Sequence, residues 1–167
     1  MAAVDIVIER VLQRVKERVA TLTVAEPAFA LSLSATPWTD RLDVQTIAVG
    51  LERDKEQWEP GDCWLPHDYS VQNSFGWKDL AEIDADFASA CAQARNELDA
   101  RGIEDPQRYV YNRVAARLDP ALMPFPMTED FVVYTFIQPD IVDTMENLQF
   151  SASPQALAIL EQKGLLQ

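Results

Sequence analysis

Apolar residues recur at spacings of three and four across the first turns of the chain. Val4, Ile8, Val11, Leu12, Val15, Val19 and Leu22 fall on one stripe, and Arg10, Arg14, Glu17 and Arg18 occupy the opposite side. That period predicts an amphipathic helix over residues 4–22 with its stripe against a core. The period then drops to two. Phe29, Leu31 and Leu33 alternate with Ala30, Ser32 and Ser34, the pattern of a half-buried strand. Beyond Thr36-Pro37-Trp38-Thr39-Asp40 the alternation returns with Ile47, Val49 and Leu51 on one face. A short connection between two such runs predicts an antiparallel pair.

Residues 55–77 are the least regular stretch. Pro60-Gly61, Pro66 and Gly76 punctuate it, and it holds Trp58, Trp64 and Trp77. A connection of that length is unusual unless it has a function or short strands of its own, so extra strands are expected there. A helical period resumes over residues 78–101 with Leu80, Ile83, Phe87, Cys91, Ala94 and Leu98, and Gly102 stands where a left-handed cap ends a helix. Asp105-Pro106 reads as an N-cap followed by proline at the first helical position. The helix it opens runs to about Leu118, with Tyr111, Val114 and Leu118 inward. After a proline-broken stretch, residues 131–137 are almost continuously apolar and β-branched, which predicts a central strand covered on both faces. Two short helices, over residues 140–148 and 153–163 with Gly164 as the stop, close the chain.

These elements predict a single α+β domain over residues 1–167: a small, mainly antiparallel sheet with helices packed largely on one face, in the order αββααβαα. The length suffices to bury roughly two thirds of the unfolded surface. No run of about 18 apolar residues is present, so no membrane span is expected. The amphipathic start, with Asp5, Glu9 and Arg10, does not read as a signal peptide.

Charge changes the picture most. The chain has 14 Lys+Arg against 27 Asp+Glu, a formal net of −13. Such a balance disfavours nucleic acid, where binding is driven by counterions that Lys and Arg displace from phosphates. One histidine and two cysteines leave little material for a metal or nucleophile site. Cys63 and His67 lie four apart with Asp68 adjacent, but a zinc site needs three or four ligands and only Cys91 could join them. Packing is the preferred reading, with no metal and no cofactor. The thiols are expected to stay unpaired, as in a cytoplasmic protein. Asp79, Glu82, Asp84 and Asp86 do not have the spacing of a calcium loop, and they suit the positive end of a helix dipole.

The better functional candidate is the segment holding Glu56, Trp58, Glu59, Asp62, Trp64, Asp68 and Tyr69. Aromatic anchors among carboxylates suit an interface for a basic protein: the rings bury area while the acids steer encounter and fix register. The competing reading is that the tryptophans only pin a long loop onto the sheet.

Phe29-Ala30-Leu31, the segment from Trp64 to Tyr69, the strand from Phe131 to Pro139 and the piece from Ser151 to Leu157 together resemble family 4303 of the domains of unknown function, an uncharacterised bacterial family. The likeness spans most of the chain through short motifs. The chain departs from that pattern in its longer 55–77 segment and in the prolines before Phe131. The family supplies no catalytic residues. Its small acidic members look like immunity or accessory proteins of bacterial toxin systems.

The function expected is therefore a non-catalytic acidic binding protein, in concrete form an immunity protein that neutralises a basic toxin domain. A small enzyme using Asp/Glu acid–base residues, or a structural accessory module, are the alternatives. Two converging buried carboxylates would favour the enzyme, and an acidic patch rimmed by aromatics the binder.

Overall fold

The computed structural model of the protein describes residues 2–35, 42–44, 46–57, 69–74, 84–137 and 148–164. Its class is α+β. The first apolar stripe forms helix α1 (Ala3–Val19), with Val4, Ile8, Val11, Leu12, Val15 and Val19 all buried. Ala2 at its start carries no side-chain acceptor, so the opening N–H groups find one elsewhere. Ala3 and Val4 donate to the carboxylate of Glu97 at 3.0 and 3.3 Å. Glu97 belongs to helix α2 (Ala85–Ala100), which packs along α1.

Helix α2 opens at Asp84, inside the predicted 78–101 stretch, whose residues 78–83 lie outside the described residues. Asp84 is extended (φ −121°, ψ 102°), and its carboxylate accepts from Asp86 N and Phe87 N at 3.0 and 3.1 Å. An aspartate offers these orphan donors a better ending than a further helical turn would. Helix α3 (Pro106–Ala115) has the expected Asp105 cap and Pro106 at its first position, and stops three residues short of Leu118. Gly102 and Gly164 take φ of +73° and +70°, the left-handed conformation that ends a helix cheaply only at glycine.

The sheet contains β1 (Ala28–Ala35), β2 (Thr46–Leu51), β3 (Val71–Ser74) and β4 (Met127–Ile137), in the order β3-β2-β1-β4. β1–β2 and β2–β3 are antiparallel and β1–β4 is parallel, so the sheet is mixed. The run at 131–137 is therefore not the central strand that its composition suggests. It is an outer strand of the described sheet. Its apolar continuity comes from cover on both faces, which parallel-paired strands share with central ones. β3 is an extra strand within the irregular 55–77 segment, so the described elements run αβββααβα, with a further helical turn at 148–151.

A bulge corrects the predicted faces of β1. Ala28 faces Leu51 while Ala30 faces Gly50, so Phe29 is the extra residue. Phe29 and Ala30 thus share one face, and Leu31 and Leu33 take the other. The side of the sheet with Leu31, Leu33, Ile47, Val49 and Val133 packs with α1, α2 and α3 in the main core. The opposite side is also covered, contrary to a half-buried sheet. There Phe29, Ala30, Ala48, Val132, Tyr134 and Phe136 meet Tyr69, Leu148 and helix α4 (Pro154–Gln162) through Ala156 and Leu160. Ser153 caps α4, with Pro154 behind it, as the sequence predicts. At the far end of α4, Lys163 donates to buried Asp130 of β4 at 3.0 Å and tethers the helix to that strand.

Candidate functional site

The acidic-aromatic segment divides. Glu56 lies in a 3-10 helix (Glu52–Gln57) that follows β2. Trp58, Glu59, Asp62, Trp64 and Asp68 lie outside the described residues, as do Cys63, His67, Asp79 and Glu82. Tyr69 is described, and its ring is not at the surface: it is 3% exposed and belongs to the second core. Its hydroxyl lies 2.6 Å from the Tyr134 hydroxyl, and its ring meets Phe29 edge-on at 5.7 Å. Tyr69 is thus removed from the expected contact surface. The base of the segment is held by Asp54, a buried carboxylate that accepts from Leu51 N at 2.8 Å. This fixes where the chain leaves β2.

Asp84 and Asp86 follow the structural reading of the carboxylate cluster. Asp84 also accepts from Arg10 at 2.7 Å. The Phe87 N–H and the Arg10 guanidinium hold its carboxyl below its ordinary range, as expected of a helix cap. Among the described residues, no three His, Cys, Asp or Glu side chains cluster as metal ligands.

A different feature emerges from α3. Its inner face is fixed by Val110, Tyr111 and Val114, all buried. Tyr111 donates to the carbonyl of Asp43, and burial followed by the Asp43 charge pushes its phenol well above the usual range. With those residues inward, the 3.6-residue period leaves Arg113 and Ala116 exposed and Arg108, Tyr109 and Asn112 half-buried, with Tyr109 packed against the main core. They line a cleft of about 560 Å³ closed on another side by Phe150. Phe150 sits in the 148–151 turn, where Leu148 and Ser151 are buried and Phe150 is left 67% exposed.

The cleft has an ordered polar floor. Arg113 lies over the Tyr109 ring, 5.2 Å from its centre. Asn112 Oδ1 accepts from Thr135 Oγ1 on β4, which makes Nδ2 the donor end of the amide. Guanidinium groups stay charged and act as donors, never as bases. Among the described residues, this lining sets guanidinium groups beside aromatic rings. The sequence carried a faint signal of it, since Arg108, Tyr109, Asn112 and Arg113 share the face opposite Val110, Tyr111 and Val114. The contribution of Phe150, far along the chain, had none.

No protein-family model, curated protein or solved structure matches this chain.

Proposed function

We propose that this chain is an acidic binding protein for a basic protein partner, in the form of an immunity protein that neutralises a toxin domain. The observation that carries this reading is the net charge of −13, read together with how its cations are used. Arg10, Arg53 and Arg117 are engaged with Asp84, Glu26 and Glu9, and Lys163 with Glu129 and Asp130. Arg14 lies 3.6 Å from the buried Asp43. Meanwhile Asp5, Glu17, Asp86, Asp99, Glu104 and Asp119 are exposed. Each such pair cancels one charge of each sign, so the excess of carboxylates sets the field, and an acidic field accelerates encounter with a basic protein.

The contact surface in this reading is the segment from Glu56 to Asp68. Trp58 and Trp64 are its anchors, and Glu56, Glu59, Asp62 and Asp68 its steering charges. Tyr69 acts from within, pinning the segment's end to the second core.

The test begins at the adjoining gene. This reading expects it to encode a larger protein ending in a basic domain, which the chain binds one to one and whose activity it suppresses. An adjoining gene without such a domain, or a basic domain that the chain leaves active, would overturn the toxin-neutralising form.

A further inference from the structure

We propose that α4 is a strap latched by Lys163, which closes over the second face of the sheet and opens as a unit while the rest of the fold stays intact. The strap is lightly held by packing. Ala156 and Leu160 are the two buried residues of its nine, whereas α1 buries eight of seventeen. Among the described elements, α4 packs chiefly against β4. A helix of this length does not persist in water by itself, so once α4 leaves the sheet it also unwinds. Elements with few buried contacts are those that open below the cost of global unfolding.

The latch is electrostatic and sits at one end. Lys163 caps the C-terminus of α4, where a cation also suits the negative end of the helix dipole. Its Nζ lies 3.0 Å from Oδ2 of Asp130 and 3.3 Å from Oε1 of Glu129. The Asp130 carboxylate is buried and Glu129 is exposed, so the bond to Asp130 is the one that water screens least. That bond, offset in part by burial, holds the Lys163 ammonium above its ordinary range. Loss of the Lys163 charge therefore tips the strap open.

The cluster beneath the strap also contains Tyr69, whose hydroxyl meets that of Tyr134 on β4. Opening α4 strips Ala156 and Leu160 from the cover of that cluster, and the docking of Tyr69 weakens with it. The effect of this on partner binding rests on the function proposed above, but the strap itself does not.

The experiment is residue-resolved hydrogen exchange by NMR on the full chain, with no partner present. The amides of residues 157–163 should exchange at least tenfold faster than the buried stretch of α1. Lys163→Gln should accelerate them about tenfold further and leave α1 and α2 unchanged, and Lys163→Arg, which keeps the charge, should restore most of the protection. Tyr69→Phe should accelerate α4 severalfold relative to α1. Protection of α4 equal to that of α1 in the parent would overturn the strap. So would a Lys163→Gln variant in which α4 is unchanged, or in which α1 and α4 accelerate together. Lys163→Arg behaving like Lys163→Gln would overturn the charge as the latch, and α4 exchange unmoved by Tyr69→Phe would overturn the link to Tyr69.

Discussion

The hydroxyls of Tyr69 and Tyr134 lie 2.6 Å apart inside the second core, 65 residues apart in sequence. Tyr69 leads into β3 and Tyr134 lies on β4, the two outer strands of the described sheet. Their side chains therefore meet across the face that β1 and β2 present. Each phenol supplies the other with a polar partner where water is excluded, which lets two large rings be buried at small polar cost. The same bond fixes the point at which the proposed contact segment rejoins the sheet.

A double-mutant cycle on this pair should show coupling. Tyr69→Phe and Tyr134→Phe should each cost about 1 kcal/mol in chemical denaturation, the usual net value of one hydrogen bond. The double variant should lose less than the sum, because the shared bond is removed only once. Strictly additive losses would show that the two hydroxyls act independently.

Gly50 is the second test of this face. A Cβ there would come within 2.7 Å of Phe29 Cζ and 2.9 Å of Tyr69 Cε1. The requirement is close approach of two rings to the β2 backbone. Gly50→Ala should destabilise the protein by about 1–3 kcal/mol, the cost of overpacking a filled core. Repeating it with Phe29→Leu should shrink the penalty. A Gly50→Ala variant as stable as the parent would mean that the rings do not cover this strand.

Asp84 sets an acid limit on the joint between α1 and α2. Its carboxyl is depressed below the ordinary 3.8 by the Phe87 N–H and by Arg10. A depressed carboxylate contributes stability that is complete above its unfolded value and is lost as pH falls through the folded one. Asp84→Asn keeps a capping side chain but removes the charge. It should be less stable than the parent at neutral pH, and the gap should close as pH falls below about 3.8. A constant gap down to pH 2 would contradict the assignment.

Much of the fold is legible where the cause is local. Asp105-Pro106, Ser153-Pro154, Gly102 and Gly164 each mark a helix end through their own backbone chemistry, and the structure has those ends. The α1 stripe is equally plain, since one helix face must supply most of a core. Causes that act across the chain are hidden. Nothing near residues 131–137 records that β4 lies parallel to β1 at the outside of the described sheet, because cover by helices looks the same in sequence as cover by strands. The bulge at Phe29 turns one aromatic to the other face without altering the alternation around it. Tyr69 looks like an interface residue until Tyr134 is seen to receive it. Likewise the cap on α1 comes from Glu97, over ninety residues away.

The central claim, that the acidic-aromatic segment meets a basic partner, is tested most directly by association kinetics. Glu56, Glu59, Asp62 and Asp68 would be reversed to lysine, and binding to the basic domain measured by stopped flow at low and physiological salt. Thermal denaturation of the same variants separates binding from folding. Charge steering predicts association slowed roughly tenfold or more at low salt, with the difference narrowing as salt screens it. Trp58→Ala and Trp64→Ala should instead speed dissociation, since buried aromatics anchor a complex once formed. An association rate at low salt that is unchanged in a folded charge-reversed variant would contradict the claim, and the acidity of this segment would then serve solubility alone.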